Sequence, residues 1–199
     1  MKDSSDFIED CTLVRAAIPV LKLKCQDQEF GNFQVDITIQ DSRHNGLRCV
    51  SLVKTFLQKY SQLKPLVLVL KELIKNSGHN NPFHGGLSSY ALTLMVVRHI
   101  EIRPNGSMGE MILSFLYDYG FQFNSDAETI EVKLPTEYCA RDKGMFDDRV
   151  YSPMSFNNHG GRSPIIIDPL SAQNNVSKSA YNFYYIQKVF TRAYYSALE

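Results

Sequence analysis

The sequence has no surplus of charge: 21 lysines and arginines balance 21 aspartates and glutamates. With a pI near 7.0, it carries no strong, self-sufficient electrostatic footprint for nucleic acid. Any such contact needs a local patch or a basic partner. Cysteines are few, and Cys11, Cys25, Cys49 and Cys139 form no C-x-x-C pair. Residues 1–10 are acidic and polar, with no legible secretory leader. Together these features favour a reducing, intracellular setting with free thiols over a disulfide scaffold. Long apolar runs are also missing. The longest, Leu66 to Leu70, falls far short of a membrane span, so no membrane partner is read. His44, His79, His84, His99 and His159 lack metal-ligand spacing, and no zinc site is read. There is no internal repeat and no low-complexity tract. What is present is 199 residues, 44% hydrophobic, enough for a real core in one domain or one domain with a partial second.

The stretch from Lys64 to Ile100 organises the chain. It reads as a helix, a Gly-Gly turn and a second helix. Pro65 suits a first helical turn, where its missing N–H goes unused. Leu66 to Leu70 is apolar on every side, which predicts a helix buried in the middle of a bundle. Gly78 is placed to end it as a C′ residue. Lys71 and Lys75 stand four apart on one face, where like charges repel unless an anion lies between them. Gly85-Gly86 brings bare backbone to the start of the next helix, whose free N–H groups and dipole suit phosphate. Ser88 and Ser89 add hydroxyls, and Tyr90 adds an aromatic face. The same residues also read as a solvated lysine edge, a turn and N-cap serines, and both readings stand at this point.

Either side of this stretch the pattern is mixed. Residues 12–24 alternate loosely around Ile18-Pro19-Val20-Leu21, a strand with an entry proline. Gln26 to Gly31 is a turn. Phe33 to Ile39 is a clean strand, with Phe33, Val35, Ile37 and Ile39 on one face. Asp36, on the other face, reads as an exposed edge carboxylate or as a metal ligand on a rigid strand. Asn45-Gly46 opens a helix to about Tyr60, with an apolar stripe of Leu47, Val50, Val53, Leu57 and Tyr60. Met108 to Tyr119 forms another helix, capped by Gly120. Residues 121–164 are irregular, save a short strand through Ile130, Val132 and Leu134. Ile165 to Ile167 is a brief buried strand. A polar turn, Ser171 to Lys178, leads into a last helix over about 180–198, with Phe183, Ile186, Val189, Phe190 and Ala193 on its inner face.

In this order, Arg15 to Lys22, Val35-Asp36-Ile37-Thr38, Asn45-Gly46, Lys64 to Lys71, Gly85 to Tyr90, Gly109-Glu110 through Tyr119-Gly120, and Ile167-Asp168-Pro169 through Lys178 resemble the non-canonical poly(A) polymerases and terminal uridylyltransferases. These belong to the polymerase-β-like nucleotidyltransferases, and the nuclear RNA-surveillance type is the most similar. The resemblance implies an α+β fold: a partial palm sheet over 12–40 after a lead-in at 1–11, then a mostly helical central domain over 41–199 with a nucleotide-recognition loop near 168–178. It implies transfer of a nucleoside monophosphate from an NTP to an RNA 3′ end, with two Mg²⁺ (or Mn²⁺) ions. It casts Asp36 as a metal-binding catalytic carboxylate and Asn45 as a ribose contact. Lys71, Lys75 and Ser89 become triphosphate ligands, and Tyr90 the base platform. Asp168, Asn174 and Lys178 fall in the recognition loop. An amide at Asn174 leaves room for a purine where uridylyltransferases often carry histidine, so ATP is expected ahead of UTP.

The family's Gly-Ser motif and D-x-D strand should precede Arg15 by several tens of residues, and neither stands in this sequence. One carboxylate cannot hold two metals, so this polypeptide by itself is expected to be inactive. It is read as a C-terminal piece of an enzyme, with a natural half-protein or completion in trans as alternatives. A non-catalytic module that docks an RNA-binding or helicase partner is the competing function class. The resemblance further implies an intracellular, and specifically nuclear, location.

Overall fold

A computed structural model describes residues 7–15, 19–39, 45–141 and 163–199. The chain divides into two compact units, Met1–Arg48 and Cys49–Glu199. Small sheets and helices make up an α+β architecture.

The N-terminal unit holds an antiparallel meander of β1 (Ile8–Val14), β2 (Val20–Asp27) and β3 (Gly31–Thr38). Strand periodicity sorts its side chains. The register Cys11↔Leu23↔Val35 and Leu13↔Leu21↔Ile37 puts apolar groups on one face, while Thr12↔Lys22↔Asp36 lies on the other. The β2–β3 turn is closed by Asp27, whose Oδ1 accepts from the Glu29 and Phe30 N–H groups. Gly31 follows at φ +70°. The expected single strand over 12–24 is corrected: two strands flank this region, and β1 begins inside the expected lead-in. Pro19 stands just ahead of β2, where its missing donor costs no ladder bond.

The helix α1 (Gly46–Lys59) forms where expected, but its buried stripe is rotated. Leu52 and Phe56 are fully buried, whereas Leu47, Val50 and Leu57 are exposed. This helix carries two apolar stripes, and periodicity alone does not choose between them.

In the C-terminal unit, α2 (Leu63–Asn76) ends as expected. Gly78, at φ +76°, donates to the Lys75 carbonyl, and the His79 N–H reaches the Ile74 carbonyl, the paired bonds of a Schellman motif. The expectation that α2 is buried all round is corrected. Leu63, Leu66, Leu70 and Ile74 are buried, but Leu68 and Val69 are 56% and 49% exposed. The central helix is instead α3 (Ser89–Ile102), buried without a break from Ala91 to Val97.

A capping box between Ser107 and Glu110 starts α4 (Met108–Tyr117). Gly120 does not cap it. The chain widens into a π turn over Asp118–Gln122, whose carbonyls are taken by the last helix, α6 (Phe183–Ser196). The Thr191 hydroxyl donates to the Gly120 carbonyl at 3.0 Å, and the Gln187 amide donates to those of Tyr119 and Phe123. A Cβ on Gly120 would fall 3.0 Å from the Thr191 nitrogen, so the glycine is there for close packing. Phe183, Ile186 and Phe190 of α6 are fully buried in the same core.

The second sheet has the order β4-β5-β6: β4 (Thr129–Ile130) parallel to β5 (Ile165–Asp168), and β5 antiparallel to β6 (Ser171–Asn175). The expected polar turn at 171–178 is therefore a strand as far as Asn175. The Asn175 side chain holds it: Oδ1 accepts from the Ile166 and Ser177 N–H groups, and Nδ2 donates to the Pro164 carbonyl. The expected strand through Leu134 contracts to two residues, although Ile130 and Val132 are still buried. A short helix, α5 (Thr136–Arg141), occupies part of the stretch read as irregular. Residues 142–162 lie outside the described residues. Among the described residues no helix is long and apolar enough to cross a membrane.

Candidate nucleotide site

The sequence singles out nine residues. Asp36 and Asn45 fall in the N-terminal unit, and the other seven in the C-terminal unit. Asp36 is on the polar face of the meander. Its carboxylate pairs with Lys22 Nζ at 2.9 Å, and both side chains are about half exposed. Such a pair contributes little to stability. Asn45 stands immediately before α1, and its Oδ1 accepts from the Arg48 guanidinium at 3.3 Å.

The start of α3 gathers the next group. Ser88 is the N-cap, its hydroxyl accepting from the Ala91 N–H at 3.1 Å. This leaves the neighbouring Ser89 hydroxyl outside the capping interaction. Ser89 and Lys71 both line a cavity of about 220 Å³ closed by Ile74, Asn80, Leu87 and Leu92. Among the described residues Lys71 has no anionic partner. Lys75 differs, because Glu72 lies 3.3 Å from its Nζ. That acid, one turn back, relieves the repulsion that the two lysines would otherwise feel. Lys75 is not part of the cavity lining.

The Gly-Gly turn brings the backbone to the start of α3 through bonds of its own. Gly85 is left-handed at φ +81°, and its N–H donates to the Pro82 carbonyl. The Gly86 N–H donates to Asn81, and the Leu87 N–H to His79. A Cβ on Gly86 would lie 2.3 Å from the His79 carbonyl oxygen. The Gly85, Gly86 and Leu87 amides are thus already bonded within the turn. The glycines place the helix start; they do not form the anion bed.

Tyr90, Asp168 and Asn174 come together across 84 residues of sequence. The Tyr90 hydroxyl donates to Asp168 Oδ1 at 3.1 Å. The Asn174 amide donates through Nδ2 to Asp168 Oδ2 at 3.0 Å. The Leu170 N–H adds a third bond to Oδ1. Asp168 is 3% exposed, so these three donors compensate a carboxylate removed from water. Burial, and next the charge of Asp168, push the Tyr90 pKa well above its ordinary value; the hydroxyl stays a neutral donor. Because a carboxylate only accepts, it dictates the orientation of the Asn174 amide: NH₂ toward Asp168, carbonyl oxygen away. Asn174 and Lys178 are themselves exposed.

One polar cluster was not singled out in the sequence. His99, 2% exposed, has Nδ1 3.4 Å from Asp118 and Nε2 3.0 Å from the Ser114 hydroxyl. Arg103 forks onto the same Asp118 at 2.8 and 2.9 Å. Ser114 also donates to the Met111 carbonyl. The arrangement ties α3 to the π turn. Its sequence signal was an isolated histidine on an apolar helix, which carries no ligand spacing.

The described residues do not assemble a metal site. No group of three His, Cys, Asp or Glu side chains converges among them, and Asp36 faces a lysine. The two-ion chemistry implied by the resemblance requires carboxylates beyond Asp36.

No family model matches the chain. Its relatives are nonetheless clear. It is 31% identical over 170 residues to Poly(A) RNA polymerase cid14 of Schizosaccharomyces pombe, a match covering 81% of this chain and 24% of that protein. It is 29% identical over 192 residues to the Inactive non-canonical poly(A) RNA polymerase protein Trf4-2 of Drosophila melanogaster, covering 92% of this chain and 44% of that one. Among solved structures, the Cid1 poly(U) polymerase with magnesium and 3′-dATP bound matches at a TM-score of 0.72 and 21% identity, over 98% of this chain and 68% of that one. The chain spans less than half the length of these two curated relatives.

Proposed function

The chain is a homologue of the non-canonical poly(A) RNA polymerases, and on that premise we propose that it supplies the nucleotide-holding part of an RNA 3′-end nucleotidyltransferase that adds AMP from ATP. The observation that carries this reading is the bonded group Tyr90–Asp168–Asn174. In this reading the Tyr90 ring is the stacking platform for the base. The outward carbonyl of Asn174 accepts from the exocyclic amine of adenine. Uracil offers a carbonyl at the matching edge, and two acceptors facing each other repel, so ATP is preferred to UTP. Lys71 and Ser89 bind the triphosphate from their shared cavity, with Lys75 and Lys178 as flanking cations; for Asn45, in the other unit, a ribose contact rests on the resemblance alone. Asp36 acts as one carboxylate of a Mg²⁺ or Mn²⁺ site that needs others. The RNA 3′ hydroxyl is the acceptor, RNA affinity is reinforced by an RNA-binding or helicase partner, and the setting is nuclear.

Titration of the chain with ATP and with UTP, each with and without magnesium, tests the reading. ATP is expected to bind more tightly, and joint replacement of Lys71 and Lys75 by alanine to weaken it. An ATP affinity unchanged in that double variant refutes the pocket. A second reading, a non-catalytic docking module, draws on the relative whose name records it as inactive. It predicts no measurable affinity for either nucleotide.

A further inference from the structure

The first turn of α6 and the π turn enclose a groove of about 680 Å³ that shares no lining residue with the Lys71–Ser89 cavity. Its wall is aromatic. Tyr181, Tyr184 and Tyr185 are 51%, 57% and 58% exposed, and Phe121 is 39% exposed. Exposed tyrosines at this density are unusual, since large aromatic rings dominate the energetics of cores and interfaces.

The rings are also held in place. Tyr181 lies against Gly85, where a Cβ would fall 2.4 Å from the ring. Tyr185 stacks on His79, centroids 6.2 Å apart at 26°. Tyr184 meets Tyr185 edge-on at 5.6 Å and carries Lys188 over its face. A surface whose rings are already ordered loses less entropy when it binds.

The chemistry of the lining selects the occupant. Among the described residues it contains one charged side chain, Asp126, and no lysine or arginine. A polyanion meets that carboxylate, and the nearby Lys188 is engaged over the Tyr184 ring. The tyrosine hydroxyls have no hydrogen-bond partner among the described residues, so they are free to donate. A polyproline II segment is the natural complement. Its backbone carbonyls need donors, its prolines carry no N–H to satisfy, and its rings stack on flat aromatic faces. The geometry points to a docking groove for a proline-rich peptide segment of a partner protein, with a basic residue of that segment paired to Asp126.

Fluorescence anisotropy of the chain with a fluorescein-labelled peptide, a seven-residue Pro-Leu-Pro repeat led by arginine, tests this. A twelve-residue oligoadenylate serves as the rival probe. The peptide is expected to bind, and Tyr184→Ala with Tyr185→Ala to weaken it by about tenfold or more, as loss of anchoring aromatics does at interfaces. Tyr184→Phe is expected to fall between, because it keeps the ring and removes the donor. Asp126→Lys is expected to weaken the arginine-led peptide and leave an arginine-free version unchanged. Circular dichroism melts verify that these exposed substitutions leave the fold intact. The inference is overturned if the peptide does not bind, if its affinity survives the double substitution, or if oligoadenylate competes for the same tyrosines.

Discussion

Asp168 is 3% exposed, and each of its oxygens is taken. Its contribution to the candidate site is orientation, since it holds one ring and one amide that belong to different elements. Asp168→Asn introduces a donor and permits the Asn174 amide to turn over. The expected outcome is a fall of about tenfold in the ratio of ATP to UTP affinity, read from paired titrations, together with a stability loss of about 1–3 kcal/mol from disrupting a buried polar group. Lys71 and Lys75 are expected to differ. Lys71→Ala should cost about tenfold or more in ATP affinity, the range of a charge-assisted hydrogen bond. Lys75→Ala should cost less, because Lys75 already has Glu72 as a neighbour and lies outside the cavity lining. Isothermal titration calorimetry on the two single variants distinguishes them. His99 supplies a pH test. Burial lowers its pKa from the ordinary value of 6.5 despite Asp118 close by. The folded state therefore binds this proton less readily than the unfolded chain, and stability present above pH 6.5 is lost as the pH falls below it. Thermal melts at pH 7.5 and 5.5 should show a drop that His99→Gln diminishes.

The helices divide their work by burial. α3 is the one buried along nearly its whole length, and its first turn presents Ser89 and Tyr90. The glycine turn ahead of it is a packing joint. Gly86→Ala would push a methyl group to 2.3 Å from the His79 carbonyl oxygen, and a backbone atom cannot rotate away. The expected cost is about 1–3 kcal/mol, the range for overpacking, with a lower melting temperature and a displaced α3 start; an unchanged melt would show that the joint is slack. At this scale the sequence was informative where local chemistry decides. Pro65, Gly78 and the Phe33–Ile39 alternation each placed an element to within a few residues. It was misleading where an element has more than one apolar face. Neither the α1 stripe nor the burial of α2 follows from periodicity, because Leu68 and Val69 are as hydrophobic as the leucines that do enter the core.

On the scale of the whole molecule, the N-terminal meander keeps an apolar face on which Ile8, Leu13 and Ile37 are 43%, 55% and 44% exposed. Formal charge is zero at pH 7, so little electrostatic repulsion opposes association. Light scattering against concentration at pH 7 is expected to show self-association, reduced by Ile37→Lys; a monodisperse sample up to high concentration would contradict this. The linear order of motifs was enough for the resemblance to the family and for the α+β class, and through that resemblance it picked out the residues proposed for a nucleotide. It was not enough to say which of those residues meet. That Tyr90 and Asn174 share one buried carboxylate is a fact about groups far apart along the chain. Only packing brings a helix start against a hairpin, because burial of the whole core, and not any short stretch of sequence, sets which faces close on one another.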